Sequence, residues 1–238
     1  MPCLNSDSDG CKTNHERSTD PHETVLDLST LKPKFIDAFH HESALPLWFS
    51  LLLHTSTVCI ATQIKTNFAK LSAVCLDSIA ARLGIALTSQ TRSSLLSAFA
   101  QLQPHTDIKP ALAKLRSHGL KTVAFSNSSQ ELISTQIKNS GLTDYFDEII
   151  SVEATGSFKP DPNVYRFAAQ RLEAPVHQLR LVATHDWDTH GALSAGLHAA
   201  YINRNGTPYN PFYKQPDISS TDMNEIVSQI LNLPHHHR

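Results

Sequence analysis

The chain lacks any large excess of charge: 20 Lys and Arg stand against 22 Asp and Glu over 238 residues, a formal net charge of −2. Without a basic surplus there is no electrostatic reason to expect nucleic acid or an anionic membrane surface as partner. Cysteine is scarce. Cys3, Cys11, Cys59 and Cys75 have no metal-ligand spacing, and Cys59 and Cys75 fall in apolar helical stretches where they read as free buried thiols. No apolar run approaches ~18 residues, and residues 1–20 are polar where a secretory signal would be apolar. These absences point to a soluble, cytoplasmic protein without a membrane partner. Histidine, by contrast, is plentiful at 14, with three in the terminal run His235–His237, a tag remnant or a native end.

The apolar pattern divides the chain. Residues 1–19 hold almost no aliphatic side chain and read as a mobile polar tail. From residue 31 to 102 the apolar positions recur at three- and four-residue spacing, over Leu31–Phe39, Ala44–Leu53, Ile64–Leu83 and Gln90–Leu102, which predicts a four-helix block. From about residue 103 helices and strands alternate. Helices are expected at Asp107–His118, Gln130–Asn139, Asp161–Leu172, Gly191–Gly196 and Asp222–Leu233, and strands at Lys121–Ser126, Phe146–Val152, Leu179–Ala183 and His198–Asn203. Such alternation predicts an α/β fold with a parallel sheet covered by helices on both faces. Residues 20–30 and 103–233 then form the core, 31–102 an inserted helical cap, and 234–238 a short tail.

Polar side chains at the carboxyl ends of strands line the crevice of an open α/β sheet. Two strand ends carry them. Val123-Ala-Phe ends in Ser126 and Asn127, and Leu179–Ala183 runs into His185, Asp186 and Asp188. Ser126 and Asn127 read either as ligand groups beside a helix N-terminus or as caps for the next helix. Asp188 likewise reads as a site residue or as a cap. Between these ends lies Ser157-Phe-Lys-Pro-Asp-Pro-Asn-Val-Tyr165, where Pro160 and Pro162 stiffen the surroundings of Lys159. Tyr165, six positions on, either faces the site or packs. As a loop cation, Lys159 would matter for turnover and little for stability. Asp20, in Asp20-Pro-His-Glu-Thr24, completes the set.

Together these segments resemble the haloacid dehalogenase superfamily, and within it the type II L-2-haloacid dehalogenase branch. Asp20 with Thr24 four residues later matches the nucleophile motif, Ser126-Asn127 the second and Lys159-Pro160 the third. Trp187-Asp188 with Gly191-Ala192 matches the acidic fourth, Tyr165 the tyrosine six residues after the lysine, and Ile202–Gly206 a turn after the last strand. The resemblance runs from about Asp20 to the C-terminus. It implies a Rossmann-like core with a four-helix cap and a cofactor-independent, metal-free hydrolase. Asp20 would displace halide from a small carboxylic acid, and water would then hydrolyse the aspartyl ester. Lys159 would keep Asp20 ionised, Asp188 would orient the lysine or assist the water, and Thr24, Ser126, Asn127, Tyr165 and His185 would hold the substrate. A homodimer is left open.

Three positions depart from the pattern. The nucleophile of this branch follows a central apolar strand, whereas Lys12–Thr19 is polar here. Either those residues are forced into the sheet, or two neighbouring strands lose their partner. The branch holds the leaving halide with an arginine from the first cap helices. The corresponding stretch, Phe39–Ser43, offers only His40 and His41, cationic at low pH alone. The phosphatase branch needs a second Asp two residues after its nucleophile, where this chain has His22. A magnesium-dependent phosphatase and a catalytically silent binding protein stand as the competing functions.

Overall fold

A computed structural model describes residues 24–233. Asp20, the polar segment before it, Cys3, Cys11 and His235–His237 lie outside the described residues.

Leu26–Asp27 (β1) pairs antiparallel with Gln103–Pro104 (β2), and this two-stranded stem brackets the helical insert. The insert comprises Lys32–Phe39 (α1), Ala44–Thr62 (α2), Phe68–Arg82 (α3) and Ser89–Phe99 (α4). Local chemistry sets the helix starts. Pro33 stands in the first turn of α1, Asn67 Oδ1 accepts from Lys70 N at α3, and Thr88 Oγ1 accepts from Thr91 N at α4. Trp48 is the hub of the block, its ring centroid 5.2 Å from Phe35 and 5.6 Å from an edge-on Phe99, with Nε1 donating to the Ser72 carbonyl at 3.0 Å. Burying each such ring contributes roughly 1.5–3 kcal/mol.

Helix α2 runs on to Thr62 instead of stopping near Leu53. The hydroxyls of Thr55, Ser56, Thr57 and Thr62 donate back to carbonyls of the preceding turn, so these polar groups are satisfied within the helix. At 19 residues without a Lys, Arg, Asp or Glu, α2 is long and apolar enough to cross a membrane by length and composition. That corrects the expectation that no apolar run approaches such length. Leu45, Trp48, Phe49 and Leu52 nevertheless turn inward and are buried in the core.

Beyond the stem follow Ile108–Ser117 (α5), Val123–Ser126 (β3), Gln130–Asn139 (α6), Glu148–Ser151 (β4) and Pro162–Arg171 (α7). Then come Arg180–Ala183 (β5), Asp186–Ala195 (α8), His198–Ile202 (β6), Ile218–Ser220 (β7) and Met223–Leu231 (α9). Strand β3 pairs in parallel with β4, and β5, β6 and β7 form a second parallel group in that order. The architecture is the expected α/β core with a helical cap. Among the described residues no strand joins the β3–β4 pair to the β5–β6–β7 group.

A buried clamp fixes the entry of the chain into this core. Both Nη atoms of Arg204 donate to Asp107, at 2.7 and 2.9 Å, and Nη2 also donates to the Thr24 carbonyl at 3.1 Å. Asp107 accepts in addition from Met223 N, the first amide of α9, at 2.9 Å. Burial pushes the Asp107 carboxyl up, but Arg204 and the Met223 amide outweigh it and hold it below the usual carboxylate range.

Candidate active site

The carboxyl ends of β3 and β5 open onto one cavity of about 420 Å³. Lys159 reaches it from the loop after β4. Its backbone N–H donates to Asn127 Oδ1 at 2.8 Å, and the peptide to Pro160 is cis. The side chain is buried at 7 % exposure, contrary to a loop lysine in water. Its Nζ donates to Asp188 Oδ2 at 2.8 Å and to the Phe125 carbonyl at 3.1 Å, and lies 4.7 Å from the centroid of the Phe125 ring.

Asp188 lies in the first turn of α8, which starts at Asp186 and not at Gly191. Its side chain does not cap that helix. One oxygen takes Lys159 and the other accepts from Tyr165 Oη at 2.6 Å. Tyr165 is fully buried behind Asp188 and does not line the cavity. Burial, then the Asp188 charge, push its phenol pKa far up, so the hydroxyl is a permanent donor. Gly191 permits the close approach: a Cβ there would sit 2.6 Å from Pro160 Cβ and 2.6 Å from Tyr165 Oη.

On the β3 side, the cap of α6 is Ser129, whose Oγ accepts from Leu132 N. Ser126 Oγ instead accepts from Ser128 N, and Ser126 and Asn127 line the cavity together with Lys159 and Asp188. Thr24 joins them, its Oγ1 accepting from Thr184 N at 2.8 Å beyond β5.

His185 is the residue before α8, and its ring stacks on Trp187 with centroids 5.2 Å apart. Phe49, from cap helix α2, closes over it at 6.0 Å. Burial pushes the imidazole down to about 4, Lys159 acting in the same direction against Asp188 and Asp186. His185 is therefore neutral near pH 7. As pH falls from about 6.5 towards 4, the unfolded chain takes up this proton before the folded one, and stability is lost across that window. Urea midpoints measured from pH 7 to 4 should show that slope, and His185→Leu should flatten it; identical slopes would remove the imidazole as its source.

The structure gathers Thr24, Ser126, Asn127, Lys159, His185 and Asp188 around one space. It does not bring His40 or His41 there. His40 ends α1 in the left-handed region with φ 52° and is exposed, and His41, also exposed, accepts from Ser43 N. The cap contributes Phe49, Leu53 and Phe68 to the cavity instead. Sequence reasoning missed these three, which look like any other apolar helix positions. Asp186, the remaining acid of the fourth motif, is engaged by backbone amides: Oδ1 by Trp187 N and Oδ2 by Asn210 N. Asp20 lies outside the described residues.

Comparison with known proteins agrees with this geometry. The family model described as haloacid dehalogenase-like hydrolase matches residues 54–180. An (S)-2-haloacid dehalogenase of Pseudomonas sp. strain YL is 28% identical over 210 residues, 87% of this chain and 90% of that protein. One from Pseudomonas putida is 30% identical over 166 residues, 70% of this chain and 73% of that protein. The L-2-haloacid dehalogenase of Xanthobacter autotrophicus superposes with a TM-score of 0.83 at 21% identity, covering 88% of this chain and 95% of that one. That enzyme has also been solved with chloropropionic acid covalently bound. With the family model matching more than half of its length and the acidic, basic and hydroxyl motifs converging on one cavity, the chain belongs to the haloacid dehalogenase-like hydrolases.

Proposed function

We propose that the chain hydrolyses the carbon–halogen bond of a small 2-halogenated carboxylic acid through an ester to Asp20. The observation that carries this reading is the buried Lys159 at the carboxyl edge of β3. It is fixed by Asp188 and the Phe125 carbonyl beside a cavity that Thr24, four residues after Asp20, also lines. The names of the relatives support the substrate class.

In this scheme an Asp20 oxygen attacks the substrate carbon and halide leaves with the bonding pair. Water then adds to the Asp20 carboxyl carbon, and the ester breaks to a 2-hydroxy acid with inverted configuration, the proton passing to solvent. Lys159 stabilises the Asp20 carboxylate, Asp188 aims the ammonium, and Tyr165 fixes Asp188. Thr24, Ser126, Asn127 and neutral His185 offer hydrogen bonds to the substrate carboxylate, while Phe49 and Trp187 wall the site against water. His40 and His41 take no part.

Halide release from L-2-chloropropionate, followed with and without EDTA, tests the proposal. The expected result is release that the chelator leaves unchanged. Chelator-sensitive phosphate release from p-nitrophenyl phosphate would replace it with the phosphatase reading, in which Asp186 and Asp188 would first have to give up their present partners. No turnover of either would favour a silent binding protein.

We also infer a homodimer through the outer face of α2. Leu47 and Val58 are exposed on a helix without a formal charge, and the cores of subunit interfaces are depleted of charged residues. An uncharged face can pair with itself about a two-fold axis. Light scattering should give a dimer mass that Leu47→Glu with Val58→Glu reduces to a monomer; a monomeric parent protein would end this inference.

A further inference from the structure

Helix α8 is held on two opposite faces. Asp188, Gly191, Ala192 and Ala195 recur at the spacing of one helical face and are buried, with Gly191 seated against Pro160 and Tyr165. Asp186, Thr189, His190 and Leu193 have the same spacing two positions earlier, which at about 3.6 residues per turn is the other side of the helix. All four meet residues 203–217, the segment between β6 and β7 that contains no helix or strand. Asp186 Oδ2 accepts from Asn210 N at 3.2 Å, His190 Nδ1 from Lys214 N at 3.0 Å, and the Leu193 carbonyl from Lys214 Nζ at 3.4 Å. The Tyr213 ring stacks on His190 with centroids 4.5 Å apart. Tyr209 stands between these contacts, its ring edge-on to Tyr201. Its Oη pairs with the fully buried Thr189 Oγ1 at 2.8 Å and donates to the Lys214 carbonyl at 2.9 Å. The segment is a strap along the back of the helix that carries Asp188.

We propose that Tyr209 and Thr189 are positioning residues for the hydrolysis, acting through α8 on Asp188 and through Asp188 on Lys159. The kinetic consequence rests on the haloacid reading; the geometry does not. Gly191 has no side chain to hold α8 at a distance, so the strap sets from behind how deeply the helix presses on Pro160 and Tyr165. Asp188 depends on that depth, because its two oxygens meet Lys159 Nζ at 2.8 Å and Tyr165 Oη at 2.6 Å. A retreat of about 1 Å would carry both contacts past ~3.5 Å, where a direct hydrogen bond no longer holds. Lys159 would keep the Phe125 carbonyl and lose the group that aims it at Asp20. Misplacement on the scale of about 1 Å costs about 10²-fold in rate at a preorganised site.

Three readouts test the proposal. With L-2-chloropropionate, Tyr209→Phe and Thr189→Val should each lower kcat about tenfold or more, and Thr189→Ser, which keeps the hydroxyl, should retain the parental value. The acid limb of kcat/KM should move up by about one pH unit in the two impaired variants, because a neighbouring cation lowers a carboxylate pKa by about 1–3 units and Asp20 loses part of that effect. Asp147→Asn is the structural control. It breaks contacts to Thr122 and Arg116, outside α8 and its strap, and should lower the urea midpoint with the limb unmoved. The third readout is independent of activity: proton–nitrogen NMR of the Lys159 ammonium, identified by its absence from Lys159→Met with Asp188→Asn. Tyr209→Phe and Thr189→Val should speed its exchange with solvent at least about threefold, as a loosened local structure does. An unmoved limb or an unchanged ammonium exchange in Tyr209→Phe would overturn the proposal, and so would a Thr189→Ser protein as impaired as Thr189→Val. A parent chain that releases no halide would end the haloacid reading alone, and the ammonium exchange would then decide by itself.

Discussion

Lys159→Ala should remove turnover and, in addition, a large part of the stability. Had the lysine been a solvated loop cation, its loss would change stability by no more than about 0.5 kcal/mol. In the fold it is buried, and its removal strands the Asp188 carboxylate with Tyr165 as its remaining side-chain partner and takes a donor from the Phe125 carbonyl. Breaking one side of a buried ion pair costs about 3–5 kcal/mol, out of roughly 5–15 kcal/mol for a whole domain. Loss of a preorganised charge at the reacting centre costs about 10²–10³-fold in rate. The two effects separate in a double variant. Lys159→Met with Asp188→Asn leaves no buried charge, so its urea midpoint should recover most of the loss while halide release stays at the single-variant level. A Lys159→Ala protein with parental midpoint and near-normal turnover would take the residue out of both roles.

That coupling explains what the sequence could and could not show. The helix–strand alternation from residue 103 and the three- and four-residue spacing before it are properties of apolar periodicity, and they showed the order of cap and core segments, although α2 runs on to Thr62 and α8 starts at Asp186. Elements too short for a period escaped: β1 and β2 have 2 residues each and β7 has 3. Asp188 was legible as an important acid, but its position in the first turn of α8 was not, because Gly191 and Ala192 look like a helix start. Gly191 is instead glycine for contact with Pro160 and Tyr165. Long-range partners carry no local signature. Nothing around residue 204 announces that Arg204 holds Asp107, nor anything near Phe49 that it closes over His185. The polarity of Lys12–Thr19, conversely, is an explicit departure in the sequence, but that segment lies outside the described residues.

Asp20→Asn carries the largest expected effect on activity. Of the carboxylates near Thr24, Asp20 alone stands four residues ahead of it; Glu23 is adjacent, and Asp27 is already engaged, its Oδ1 accepting from Ser29 N at 2.9 Å. Removing a covalent nucleophile costs on the order of 10⁴–10⁶ in kcat, so halide release from L-2-chloropropionate should fall below detection while the urea midpoint is retained. The route through the enzyme is visible in heavy-oxygen water under single-turnover conditions. If water attacks the Asp20 carboxyl carbon, the first turnover leaves the heavy oxygen on the enzyme and delivers an ordinary Asp20 oxygen to the 2-hydroxy acid. Peptide mass spectrometry should then find the label in the peptide containing Asp20 and the first-turnover product unlabelled. Were water itself activated by Lys159 and Asp188 to displace halide directly, the label would appear in the product at once and Asp20 would stay light. The two routes share substrate, product and stereochemistry, and the position of one oxygen atom decides between them.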